Sequence, residues 1–177
     1  SLPSARSHGE PLTGRLSPPK GASFKHVLLG SPEETVLLAS AAGYGFKTKL
    51  DSLHSKGKAG KAILSLPEKS TVLAPVSVQP EDWVMVITDE PNMLVFKAQE
   101  LPLLSKGKGS KLAQMPKGQK VTAVFAFEPG SKLKLVAGKY QKTFGPTAIE
   151  EAFSARAKRG IALPRTLKKV TQIKIAD

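Results

Sequence analysis

Two stretches of the chain concentrate positive charge on glycine-rich backbone, Ser55-Lys-Gly-Lys-Ala-Gly-Lys61 and Ser105-Lys-Gly-Lys-Gly-Ser-Lys111. The first carries Lys56, Lys58 and Lys61, the second Lys106, Lys108 and Lys111, and neither holds an acid. Lysine is a mobile point charge suited to phosphate oxygens. Glycine lets the backbone approach a ligand closely and frees its N–H groups to point at an anion. The chemistry these residues can do is therefore non-covalent capture of a polyanion. They do not form a GxxxxGK[ST] loop, so they are not read as a nucleotide site. The offset between the copies is 105 − 55 = 50 residues. Fifty residues further on, Ala155-Arg-Ala-Lys-Arg-Gly160 is a looser copy with Arg156, Lys158 and Arg159, followed by Arg165. Fifty residues back, Ala5-Arg-Ser-His-Gly9 carries Arg6, with Arg15 shortly after it. These cations are the candidate contact set.

The whole-chain balance agrees. Lys and Arg total 27 against 14 acids over 177 residues, a net charge of +13, which suits DNA, RNA or an anionic surface. The paired acids Glu33/Glu34, Glu81/Asp82, Asp89/Glu90 and Glu150/Glu151 fall at hairpin ends and connectors. None lies between Ser55 and Pro67 or between Ser105 and Pro116. No catalytic residue and no metal ligand is assigned. The chain has no cysteine, which excludes a disulfide framework, Cys-ligated zinc and thiol chemistry. His8, His26 and His54 lack metal-ligand spacing, and no Ser/His/Asp ordering stands out. Phe46, Phe96, Phe125 and Phe127 sit in strand runs and read as core, which argues against a stacking platform for single strands. No apolar run approaches the roughly 18 residues of a membrane span. The first residues carry neither an initiator Met nor a signal h-region, so the chain is expected to be a piece of a longer polypeptide.

The elements that must position the loops repeat with them. Each loop is followed by a short apolar stretch, then Pro18, Pro67, Pro116 or Pro164, then a polar turn and a β-rich run: Phe24–Leu29, Thr71–Val78, Val121–Phe127 and Val170–Ile175. Hairpins are expected at Thr35–Ser40 with Tyr44–Leu50, Trp83–Thr88 with Met93–Lys97, and Lys132–Val136 with Tyr140–Phe144. Tyr44 and Tyr140 lie in these hairpins and read as structural. Val84–Ile87 is continuously apolar and predicts a strand buried on both faces, whereas Lys132–Leu135 alternates and predicts one wet face. Short helical connectors are expected near Leu50–Ser55, Ala98–Leu104 and Thr147–Ser154. A unit of about 50 residues with four strands is the period of a propeller-type blade. The fold class is all-β, a single domain over 1–177 with units at 1–30 (partial), 31–80, 81–130 and 131–177.

With repeat and loops in hand, the chain resembles the C-terminal domain of ParC, the A-type component of bacterial topoisomerase IV, related to the corresponding domain of gyrase. Gly9–Leu16, Leu37–Phe46, Lys58–Ala62 and Leu101–Gly109 carry the resemblance. It implies a β-pinwheel, a propeller-like ring whose neighbouring blades exchange strands, here a partial or open array. It implies a rim that binds and bends duplex DNA and presents segments to a separate breakage-reunion core for decatenation and supercoil relaxation. It also implies partnership with the ATPase subunit of topoisomerase IV. The parent enzyme would use ATP and Mg2+, with no cofactor in this domain. The implied setting is bacterial, cytoplasmic and chromosome-associated, and includes peripheral inner-membrane association. The gyrase domain carries a Gln-Arg-Arg-Gly-Gly-Lys-Gly box. Nothing here matches it, which favours bending over full chiral wrapping. The alternatives are a gyrase-like wrapping domain, a basic RNA- or ribosome-associated β-repeat protein, and a protein-interaction propeller.

Overall fold

The computed structural model describes residues 20, 23–57 and 60–176. Three hairpins form its frame: β1 (Thr35–Ala39) with β2 (Tyr44–Lys49), β4 (Trp83–Thr88) with β5 (Asn92–Lys97), and β8 (Lys132–Ala137) with β9 (Tyr140–Phe144). They fall within one residue of the predicted spans. β-branched and aromatic residues fill them, and Gly43 (φ 87°) and Gly138 (φ 60°) supply the positive φ that their tight turns require.

Each hairpin gains an inner strand from the run that follows the repeat proline. β3 (Val76–Ser77) pairs with β1, β7 (Val121–Phe127) with β4, and β11 (Gln172–Ala176) with β8, all antiparallel. β3 is shorter than the predicted Thr71–Val78 run. Upstream of it the register slips by one residue, from Leu37 opposite Val76 to an isolated Ser40–Val72 bridge, where the Leu73 N–H donates to the Ala39 carbonyl. Phe24–Leu29, expected as a fourth such strand, pairs with no sheet. No preceding hairpin lies beside it among the described residues, and Phe24, Val27 and Leu29 stand exposed.

The outer strand of the first two sheets comes from the next unit. β6 (Ser110–Lys111) pairs with β2, and β10 (Ile161–Ala162) pairs with β5. The sheet orders are thus β3-β1-β2-β6, β10-β5-β4-β7 and β11-β8-β9. Neighbouring blades exchange strands, and among the described residues β9 has no outer partner, so the array is an open arc. The connectors are α1 (Leu50–Leu53), a 3-10 turn at Ala98–Glu100, α2 (Pro146–Glu151) and a 3-10 turn at Arg165–Leu167.

The core is three interleaved layers. Val84, Val86, Leu94 and Phe96 face blade one, where they meet Leu37, Ala39 and Val78. The alternate residues Met85, Ile87, Met93 and Val95 face blade three and meet Leu133, Leu135 and Ile149. The middle blade is therefore buried on both faces, as its unbroken apolar run requires. Val36, Leu38 and Phe46 form a third cluster with Leu28 and Leu53 on the outer side of blade one. On β8, Leu133 and Leu135 are buried while Lys132 and Lys134 face outward, the predicted wet face. Phe46, Phe96 and Phe127 are core; Phe125 is only half-buried. Tyr140 is 47% exposed on the open edge.

Candidate nucleic-acid interface

The basic loops are excursions from the outer edges of the blades. Leu103 makes a parallel bridge to Lys47 on β2, the chain swings outward through Leu104–Gly109, and Ser110 returns antiparallel to Gly45. One blade on, Phe153 bridges Val95 on β5, the chain swings out through Ser154–Gly160, and Ile161 returns opposite Met93. The two loops leave and rejoin their sheets at matching heights.

Glycine makes the return possible. Gly109 has φ 82° and Gly160 φ 80°. A Cβ on Gly109 would lie 2.3 Å from the Gly45 carbonyl oxygen, and one on Gly160 2.3 Å from that of Met93. A side chain at either place would push the loop off the rim.

Each loop is also tied to the stretch that follows the loop before it. The Gly107 N–H donates to the Ile63 carbonyl (2.7 Å), and the Ser65 N–H donates to Gly107 (2.8 Å). In the next pair the Ala157 N–H donates to Leu112 (2.9 Å), and the Gln114 N–H to Lys158 (2.8 Å). The rim is thus a hydrogen-bonded backbone ribbon through Ile63–Ser65 with Gly107, and Leu112–Gln114 with Ala157 and Lys158.

The sequence-predicted residues divide on this ribbon. Lys56, Lys61, Lys106, Lys108, Lys111, Lys158, Arg159 and Arg165 are exposed. Arg6, Arg15 and Lys58 lie outside the described residues. Lys61 Nζ donates to the Ser52 carbonyl (3.2 Å). Lys108 Nζ sits 3.9 Å from the centre of the Tyr44 ring, a cation–π contact that steadies the ammonium without neutralising it. Tyr44 thus gives Lys108 a platform, in addition to its place in a hairpin. Arg156 is directed inward. Its Nε donates to the Glu100 carbonyl (3.2 Å), its Nη1 to the Lys111 carbonyl, and its N–H to Glu100 Oε2 (2.7 Å). It bolts the third loop to the strand that ends the second. Spacing alone could not separate it from Lys106, which occupies the equivalent place. On β2, burial pushes the Lys47 ammonium below the usual lysine range.

Electrostatics is segregated by strand end as well as by loop. At the end where each hairpin begins and finishes, the blades carry Glu33, Glu34 and Asp51, then Glu81, Asp82 and Glu100, then Glu128, Glu150 and Glu151. Lys49 pairs with Glu33 there at 3.0 Å. The basic ribbon is therefore bordered on one side by an acidic face that repels a polyanion. Among the described residues, no group of three or more His, Asp or Glu is placed to hold a metal ion.

The comparisons with known proteins agree with this geometry. A family model described as "DNA gyrase C-terminal domain, beta-propeller" matches residues 34–79 and 82–128. The chain is 43% identical over 182 residues to the A-type subunit of DNA topoisomerase 4 from Pseudomonas aeruginosa, covering 98% of this chain and 24% of that protein. It is 39% identical over 184 residues to the same protein of Haemophilus influenzae, covering 100% and 25%. The chain thus spans about a quarter of the length of the curated relatives it matches. The solved C-terminal domain of Escherichia coli ParC superposes with a TM-score of 0.89 at 35% identity, over 99% of this chain and 74% of that one.

Proposed function

The chain belongs to the DNA gyrase C-terminal domain family and shares the fold of the ParC C-terminal domain, and from that premise we propose that it binds and bends duplex DNA as the non-catalytic accessory domain of a bacterial type IIA topoisomerase. The observation that carries this reading is the hydrogen-bonded ribbon of basic loops, held at matching heights on successive blade edges. Such a ribbon offers phosphate contacts at regular intervals along a curved path. Among the described residues these loops present no helix or paired-strand element that could enter the major groove, so sequence discrimination is expected to be poor. Sites that bend cheaply would be preferred.

In this reading the rest of a longer polypeptide cuts and rejoins DNA, and a partner protein supplies ATP hydrolysis with Mg2+. The domain delivers a DNA segment to that core, in the bacterial cytoplasm and on the chromosome. Among the described residues no helix is long and apolar enough to cross a membrane. Changing Lys56, Lys58, Lys106 and Lys108 together to Glu should weaken duplex binding about equally across sequences and flatten its salt dependence. Unchanged affinity and slope would remove the loops as the contact surface. A preference for structured RNA in competition at matched salt would instead favour the RNA-associated alternative.

A further inference from the structure

The stretch after each repeat proline also carries cations. These are Lys69 after Pro67, Lys117 and Lys120 after Pro116, and Lys168 and Lys169 after Pro164, all exposed. The fold brings these turns to one end of the blades, the end of the hairpin turns. Thr71 accepts from the Ala41 N–H, Lys120 accepts from the Asp89 N–H, and Thr171 donates to Val136. It is the end opposite the acidic face.

Three observations join this row to the rim. First, the chain itself runs from each loop to the next turn of the row: Lys111 ends the outer strand opposite Tyr44, and Lys117 follows six residues on. Second, Arg159 of the third loop and Arg165 and Lys168 of the turn line one open cleft with Asn92 and a single acid, Glu90. Third, Lys69 and Lys120, from consecutive units, line a shared cleft beside Ala41. The acids at this end are partly engaged. Asp89 Oδ1 accepts from the Lys120 N–H, and Glu90 Oε2 accepts from the Gln119 side chain. Glu68 remains exposed beside Lys69.

We propose that these post-proline turns are a second phosphate-binding row, and that duplex DNA lies off-centre, across the rim and onto the turn end. One strand's phosphates would follow the loops and the other strand's would meet Lys69, Lys117, Lys120 and Lys168. The acidic face repels the duplex from the opposite side, so the displacement has a fixed direction. This rests on the duplex-binding reading above.

The test compares two charge-matched double variants of the whole chain. Lys117→Gln with Lys120→Gln removes two members of the row. Lys97→Gln with Lys132→Gln removes two exposed lysines at the acidic end. Affinity for a duplex of mixed sequence is measured from low to moderate salt. Each lost phosphate contact lowers the slope of log K against log salt by about 0.9, so the first pair should lower it by about 1.8 and the second should leave it near the parent value. Circular dichroism confirms that both variants fold. Equal slopes for the two pairs, with the parent binding normally, overturn the second row. A parent chain that binds no duplex overturns the duplex reading itself.

Discussion

At the scale of single residues, the rim depends on two choices. Gly160 must be glycine because its φ is positive and the Met93 carbonyl occupies the place of a Cβ. Gly138 also has positive φ, but nothing lies within 4 Å of its missing Cβ. Gly160→Ala should therefore cost more than Gly138→Ala, about 3 kcal/mol against about 1 kcal/mol, since strain and steric displacement add only at the first. Urea unfolding of the two variants checks this, and equal losses would count against the close approach. Arg156 is the second choice. With its donors on Glu100 and Lys111, Arg156→Gln should lose about 1–3 kcal/mol of stability because the planar fork is gone. It should leave the salt slope of duplex binding unchanged, since the charge that follows phosphate lies on Lys158 and Arg159. A slope lowered by about 0.9 would place Arg156 among the phosphate contacts after all.

At the scale of elements, alternation decides which hairpins tolerate change. On β8, Leu135 is fully buried and the adjacent Lys134 faces outward. Leu135→Ala should cost about 2–5 kcal/mol through lost burial and the cavity it leaves, while Lys134→Ala should stay within about 0.5 kcal/mol. Thermal or urea unfolding distinguishes them directly. The same local logic explains what was legible in the sequence. Hairpins are bounded by turn residues and filled by β-branched runs, so Thr35–Lys49, Trp83–Lys97 and Lys132–Phe144 could be placed from pattern alone. The repeat period implied blades, and the resemblance implied exchanged strands. The inner strand β3 is shorter than its apolar run because the pairing slips register between Val76 and Val72, which hydrophobic pattern does not weigh. Phe24–Leu29 has a strand's composition but no partner edge among the described residues, and pairing is a tertiary fact. The inward turn of Arg156 and the platform under Lys108 were illegible for a similar reason. Glu100 and Tyr44 come from elsewhere in the chain, and only the exchange of β6 and β10 between blades brings them close.

At the scale of the whole molecule, the question is what path the arc imposes on DNA. A chiral wrap requires the duplex to climb along the arc axis as it passes from blade to blade. The loops give no such rise by register: the second leaves at Lys47 and returns at Gly45, and the third leaves at Val95 and returns at Met93, equivalent places on successive sheets. The ties from Gly107 to Ile63 and from Ala157 to Leu112 keep that register fixed. Bending a site of 20–30 base pairs by 40–90° costs on the order of 1–6 kcal/mol. A few phosphate contacts distributed over consecutive loops can offset that cost, so a planar bend needs no wrap. The expected outcome is that nicked circles religated around the chain show no change in linking number, while short duplexes carrying a binding site are shortened end to end when the chain is added. A reproducible linking-number shift would mean that the blades themselves are offset along the arc axis. It would move the chain toward the wrapping behaviour of a gyrase-like domain despite its lack of the gyrase box.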